Sequence, residues 1–318
     1  MLGKNSILFK VIPCLIIVSL FITSCGTQSP SRKRLESQQV KTKTNQPEPS
    51  KKINNVNNSS SNKKAITSGR VDEVPWANDQ KFKAAQQKNQ ALKQMAAFRT
   101  VLIDPLPGEE ENVHLAARLL AGTVVQPGKV FSQNTTIGPY SKARGFQEGP
   151  LYIGTKLGKT IGGGVCKIAS TLYNVTVFSD LEVIERHAHG MPVPYVPYGQ
   201  DATVSYGSKD FKFKNNTANP IFIWAQGIDN TLYIAFYSKQ AAPRVEWHHK
   251  ILKSQKADLI YRNNKELPAG TERVAVKGMD GALINSWVTI YEQNGKSRNK
   301  ALGQSSYLPM PEIVERGK

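Results

Sequence analysis

Cysteine is scarce: three residues, at positions 14, 25 and 166, in a chain of 318. That is too few for a disulfide-built scaffold. No CxxC pair and no spaced Cys/His quartet occurs, so no structural zinc site is expected, and no other metal site is predicted. Long apolar runs are equally scarce. A single one, close to the N-terminus, excludes a polytopic membrane protein. Acidic residues are outnumbered, with 24 Asp and Glu against 42 Lys and Arg, a formal net charge of +18. Such an excess points to an anionic partner or an anionic surface. Aromatic residues are missing altogether from residues 26–75.

What is present begins with an export signal. Lys4 and Lys10 precede an apolar stretch from Val11 to Ile22, and Thr23-Ser24-Cys25 ends it. Small residues at the end of such a run mark a secretory signal. Ile22-Thr23-Ser24-Cys25 resembles the bacterial lipobox, which implies cleavage before Cys25 and a diacylglycerol on its sulfur. Residues 1–24 are therefore read as a lipoprotein signal peptide. Two acyl chains suffice for stable anchoring. Residues 25–75 read as a disordered basic tether, with ten Lys/Arg against four Asp/Glu over residues 26–75. Too little apolar surface is present there to fold. A flexible coil of that length spans roughly 40 Å, enough to hold a domain in the wall zone. Cys14 leaves with the signal, so Cys166 would remain as the one unacylated thiol of the exported chain.

The rest reads as α+β. Helices are predicted over residues 80–98, 111–121 and 165–178 from apolar spacing. The last is the strongest, with Val165, Ile168, Leu172 and Val175 on one stripe. From Leu181 the period changes to two, which places Val183, Glu185, His187 and His189 on one face of a strand and Ile184, Arg186 and Ala188 on the other. Further strands are predicted at 201–206, 221–226 and 231–238. A helix-first domain with antiparallel strands is expected over 76–240, and a small all-β domain, punctuated by glycines, over 241–318. His248 and His249 are read as surface residues.

One segment could carry chemistry. Gly162-Gly163-Gly164 allows a tight backbone approach and positive φ. Cys166 then falls in the first turn of a helix, where orphan N–H groups and the dipole favour a thiolate. Those N–H groups could also hold an oxyanion. Ser170 and Tyr173 lie on the cysteine's face of the helix. His187 or His189 could serve as base, with Asp201 as its orienter. Arg186 could meet a substrate carboxylate. A cysteine on a helix can equally be a small buried hydrophobe.

These residues form an ordered pattern. Gly122-Thr-Val-Val-x-Pro-Gly-x-Val-Phe-Ser132, Asn134, Ile137-Gly-Pro139, Gly162-Gly-Gly-Val-Cys166, Ser170-Thr-Leu-Tyr-Asn174, Glu185-Arg-His-x-His189 and Gly199-x-Asp-Ala-x-Val-x-Tyr-Gly207 together resemble the VanW family over about residues 98–240. The tail from about Val245 to Gly317 resembles a G-five domain, a glycine-marked β module associated with cell walls. Some VanW-domain proteins are regarded as noncanonical L,D-transpeptidases of peptidoglycan with a catalytic cysteine. The resemblance implies Cys166 as nucleophile, His189 as preferred base with His187 second, and Asp201 as the aspartate of the Gly-x-Asp-Ala motif. Tyr206, in the same motif, joins Arg186, Ser170 and Tyr173 as candidate substrate-binding residues. The family commonly reads Cys-Gln-Val-Ser-Ser, where this chain has Cys166-Lys167-Ile168-Ala169-Ser170, and commonly has serine where Gly190 stands.

The expected function is thus a lipid-anchored protein on the outer face of the bacterial cytoplasmic membrane. It would act on peptidoglycan stem peptides through a cysteine thioester, without metal or organic cofactor. A non-catalytic wall-binding or assembly protein and a cysteine peptidase are the alternatives. Wall polymers, and the membrane through Cys25, are the further expected partners. Nucleic acid is not among them.

Overall fold

The computed structural model describes residues 67–318 except 104, 154–155 and 293. The expected signal peptide, Cys25 and most of the tether lie outside the described residues. Among the described residues no helix is long and apolar enough to cross a membrane. In chain order the elements up to residue 238 are β1 (Gly69–Arg70), α1 (Gln80–Lys88), β2 (Lys93–Val101), α2 (Glu109–Leu120), β3 (Val124–Val125), β4 (Val130–Ser132), α3 (Gln133–Ile137), β5 (Glu148–Ile153), β6 (Lys156–Ile161), α4 (Cys166–Phe178), β7 (Glu182–Glu185), β8 (Lys212–Lys214), β9 (Ile221–Ile228) and β10 (Thr231–Ser238). Strands alone follow: β11 (Arg244–Gln255), β12 (Leu259–Asn264), β13 (Glu272–Val276), β14 (Gly281–Tyr291), β15 (Ser297–Tyr307) and β16 (Glu312–Gly317).

A five-stranded sheet in the order β1-β2-β10-β9-β3 is the frame, with every pairing antiparallel. Its two faces are both covered, and strict alternation sorts the side chains. Leu232, Ile234 and Phe236 of β10 join the main core with α2 and α4. Ala235 and Tyr237 point the other way, into a second cluster with Trp76 and Phe82. Trp76 Nε1 donates to the Tyr237 hydroxyl at 2.9 Å. Folded chain therefore begins ahead of the boundary expected at residue 76. Gly69–Arg70 pairs with β2, and Ser68 Oγ accepts from the Val101 N–H at 2.9 Å.

Helix α4 is the most enclosed element. Every residue from Ile168 to Phe178 is buried. Several of its polar side chains are bonded inside, although Asn174 Oδ1 and Thr176 Oγ1 find no partner among the described residues. Thr171 and Thr100 share a hydroxyl bond of 2.8 Å that ties the helix to β2. Ser170 Oγ donates to the Ala202 carbonyl at 3.0 Å and accepts from the Ala202 N–H at 2.9 Å. Asn174 Nδ2 donates to the Gln200 carbonyl at 2.8 Å. These three bonds clamp the loop at 200–202 onto the helix.

Four expectations are corrected. The helix predicted over 80–98 stops at Lys88, because Gln90 takes a left-handed φ of 51° and the next nine-residue run enters the sheet as β2. The small, apolar Met95-Ala96-Ala97-Phe98 suits a strand buried on both faces, and tertiary packing overrides the helix propensity of alanine. The strand predicted at 201–206 is irregular, since its backbone groups bond side chains and loops instead of a ladder; only an isolated bridge, Ser205 to Lys209, forms there. The strand after Leu181 ends at Glu185, where its pairing with β8 shifts register. Residues 187–189 are therefore loop, and His187 and His189 share no strand face. The helices are also less strictly first than expected, because β1 to β6 lie among them.

The strands after residue 241 form two three-stranded sheets, β11-β14-β15 and β12-β16-β13. The described residues make one compact unit. Val245, Val288 and Ile290 belong to the same core as α4, and Trp247 packs against it.

Candidate active site

The glycine turn comes first. Gly162 and Gly164 take φ of 78° and 103°, open to glycine and rarely to other residues. Gly163 has a different constraint. A Cβ there would lie 2.2 Å from the Gly149 carbonyl carbon, so the β5–β6 hairpin can close only on a bare backbone. Buried Asn112 of α2 holds the turn in place. Its Nδ2 donates to the carbonyls of Gly163 at 2.9 Å and Gln147 at 3.0 Å, and its Oδ1 accepts from the Gln147 N–H at 2.8 Å. Asn112→Ala is expected to strand buried backbone groups and to lower stability by about 1–3 kcal/mol. Urea denaturation of the full chain reads this, and an unchanged midpoint would show that the turn does not depend on Asn112.

Cys166 opens α4 with its side chain half-buried. Its sulfur lies 3.3 Å from Thr203 Oγ1 and 3.6 Å from the Val204 carbonyl. Burial pushes the thiol up, but the His189 ring beside it and the Thr203 hydroxyl outweigh this and bring it down to about 7. His189 Nδ1 bonds Asp201 Oδ2 at 2.7 Å, and the His189 backbone N–H donates to the same oxygen at 2.7 Å. That leaves Nε2 for the sulfur. Burial pushes the imidazolium down, yet the Asp201 bond and then the neighbouring Cys166 raise it to about 9. Burial pushes Asp201 up, and His189 followed by Arg186 holds it below the usual carboxylate range. Tyr195 stands edge-on to His189, ring centroids 6.4 Å apart.

The backbone of the turn sorts its own donors. The N–H groups of Gly162, Gly163, Val165 and Lys167 bond the carbonyls of Gln147, Thr160, Gly162 and Gly164. Among the described residues, those of Gly164 and Cys166 have no such acceptor, so of the three glycines expected at the oxyanion only Gly164 has its N–H free of a backbone partner.

The other expected residues have other employment. His187 Nε2 bonds Glu185 at 3.0 Å, and Lys212 bonds the same carboxylate at 2.8 Å. Arg186 is not available to a substrate carboxylate. Its guanidinium bonds Asp201 Oδ1 at 2.9 Å, the Asp201 carbonyl at 2.8 Å and Ser305 Oγ at 2.7 Å, and lies over the Tyr173 ring. Nor does it face away from His189, since both hold one carboxylate. Ser170 is buried and bonded to Ala202, and Tyr173 is buried between Arg186, Phe211 and Trp247. Neither lines the groove or the cavity described next. Tyr206 is exposed and borders an open groove of about 470 Å³ with Asn134, Thr135, Glu185, Lys209 and Lys212. Its ring stands edge-on to Tyr140, 6.4 Å away. A second, apolar cavity of about 130 Å³ lies between the loop at 192–198 and Met279 and Tyr307, against Asp201.

Several contributors were not predicted. Glu109 and Asn112 sit in an acidic helix start that reads as ordinary dipole compensation. Glu109 pairs with Lys167, whose ammonium also lies 4.8 Å from the Tyr195 ring centroid. Lysine at this departure from the family pattern thus links the starts of α2 and α4. Ser305 and Tyr307, more than 100 residues beyond the motif, carry no local signal at all.

Residues 108–237 match the family model described as VanW like protein. A Bacillus subtilis protein described as uncharacterized protein YoaR is 34% identical over 148 residues, 46% of this chain and 49% of its own length. The vancomycin B-type resistance protein VanW of Enterococcus faecalis is 32% identical over 118 residues, 36% of this chain and 43% of its own. The chain thus spans about half the length of the curated relatives it matches. Two solved structures resemble it in part. An IgA1 protease G5 domain matches 25% of this chain and 95% of its own at 20% identity and a TM-score of 0.16. HP0197-G5 matches 23% and 99% at 14% identity and a TM-score of 0.14. Scores this low assign no fold to the matched part. The chain carries a VanW-like domain, and Cys166, His189 and Asp201 all lie within it.

Proposed function

We propose that this protein is an extracytoplasmic, lipid-anchored enzyme that modifies peptidoglycan stem peptides by acyl transfer through Cys166, in the manner of an L,D-transpeptidase. The observation that carries the reading is the Cys166–His189–Asp201 arrangement. A sulfur at a helix start stands beside an imidazole whose far nitrogen is fixed 2.7 Å from a buried carboxylate. Nucleophile, base and orienter in that order are the parts of covalent acyl transfer. The VanW-like domain, one of whose relatives is described as a vancomycin resistance protein, supports the wall as the setting. The export signal and Cys25 support the anchor, and the resemblance of the tail to a G-five domain supports contact with the wall.

In this scheme the Cys166 thiolate attacks the carbonyl carbon of the third residue of a tetrapeptide stem. The Gly164 and Cys166 N–H groups receive the oxyanion. Collapse breaks the amide bond, and the His189 imidazolium gives its proton to the departing D-alanine amine. The thioester remains on Cys166. An amine of a second stem, losing its proton to His189, then attacks the thioester, and the thiolate leaves.

The test is mass spectrometry of the full chain incubated with purified disaccharide-tetrapeptide. A cross-linked dimer lacking one D-alanine is expected, and it should disappear with Cys166→Ala. Cysteine-dependent monomers shortened by one residue would identify a peptidase instead. Substrate left intact, where a control transpeptidase works, would leave a wall-binding protein.

A further inference from the structure

The Asp201 carboxylate takes bonds on both oxygens. Oδ2 faces His189, as described. Oδ1 faces the opposite way and accepts from Arg186 Nη2 at 2.9 Å and from the Tyr307 hydroxyl at 2.5 Å. Tyr307 is 4% exposed, and its hydroxyl also accepts the Gly199 N–H at 2.9 Å. Two residues earlier on β15, Ser305 Oγ accepts from Arg186 Nη1 at 2.7 Å. Residues two apart on a strand share a face. One face of β15 therefore presents two hydroxyls to the back of the Cys166 centre, one to the aspartate and one to its arginine.

We propose that Tyr307 is a positioning residue of the cysteine centre, so that the C-terminal strands complete a site whose nucleophile and base lie in the VanW-like domain. The inference rests on the acyl-transfer reading only for its purpose; the arrangement itself acts on the thiol whatever its substrate. A carboxylate with one oxygen fixed by two donors cannot rotate about its Cβ–Cγ bond. Oδ2 is thereby aimed at His189 without a search, which is the preorganisation that a charge-stabilising group needs. Tyr307 also pins Gly199, two residues before the aspartate, so ring and loop are set together. The titratable neighbours of Asp201 are Arg186, His189, Tyr173, Tyr195 and Tyr307, and those of Cys166 are His189, Tyr140 and Tyr195. Of these, only Tyr307 comes from beyond residue 240.

The test is the pH dependence of Cys166 alkylation by iodoacetamide in the full chain, read by mass spectrometry on the peptide that carries Cys166. It needs no wall substrate. In Tyr307→Phe the ring still packs on Tyr198, but the aspartate loses a donor and the freedom of Oδ1 returns. The alkylation midpoint is expected to move upward, with the rate at about pH 7 falling about fivefold. The control is Tyr198→Phe, which removes a hydroxyl bonded to the Asp280 carbonyl at 2.6 Å in the same contact region and touches no charge of the centre. It should leave the midpoint in place. An unmoved or lowered midpoint in Tyr307→Phe, or an equal rise in Tyr198→Phe, would overturn the proposal. A wild-type midpoint in the ordinary thiol range would instead remove the activated cysteine and the acyl-transfer reading with it.

Discussion

Asp201→Ala is expected to destabilise the folded chain by about 3–5 kcal/mol, the range for removing one partner of a buried ion pair. The reason lies in what stays behind. Arg186 is only 12% exposed at its side chain, and Asp201 is its only carboxylate partner among the described residues. Its remaining acceptors are neutral: two backbone carbonyls and Ser305 Oγ. Removing the carboxylate also leaves the His189 N–H and the Tyr307 hydroxyl without an acceptor. Thermal unfolding of the full chain should show a midpoint lowered by roughly 6–20 °C. Asp201→Asn keeps the volume and should cost less. A change in Asp201→Ala within the scatter of surface substitutions would mean that water reaches Arg186 and takes the place of the carboxylate.

His189→Ala is expected to lower kcat/KM for acyl transfer by about 10²–10⁴, the usual contribution of a positioned acid–base group. Its effect on pH dependence is more diagnostic than its size. The thiol of Cys166 loses its proton as pH rises through about 7, and the His189 ring loses its proton as pH rises through about 9. Between those values the pair is thiolate and imidazolium. That is the form with both a nucleophile and a proton for the leaving amine. kcat/KM should therefore climb through about 7 and decline through about 9, and the two limbs belong to the pair jointly. Without the imidazole the alkaline limb should vanish. The acid limb should move upward, because burial pushes the thiol up and its main counterweight has gone. A profile unchanged in His189→Ala would assign the base to another group. His187, bonded to Glu185, would be the next residue to replace.

The parts of this centre differed in how far they could be read beforehand. Cys166 was legible because glycines and an apolar stripe mark the start of α4 locally. By spacing alone His189 and His187 were not separable, because a period of two was extended past Glu185, where the real strand ends; only the family resemblance preferred His189. Arg186, Ser170 and Tyr173 illustrate a general limit. A polar side chain near a nucleophile reads the same whether it faces a ligand or the protein's own backbone, and here all three face inward. The misplaced helix at 89–98 has a related cause. Its alanines report propensity, whereas the decision is made by β1 and β10 on either side, which pair with it across large separations. Tyr307 is the extreme case, since its meaning exists only once β15 has folded against the loop at 199–201.

The two halves of the centre rest on backbone of different kinds. Cys166 begins a helix in which every residue from Ile168 to Phe178 is buried, whereas His189 sits on a loop outside any ladder. Amide hydrogens along α4 should exchange only when the whole unit opens, and those around 187–190 through small local fluctuations. The nucleophile is thus held by buried helix backbone and the base by its two bonds to Asp201. Loss of those bonds would withdraw the imidazole and leave an intact but idle thiol.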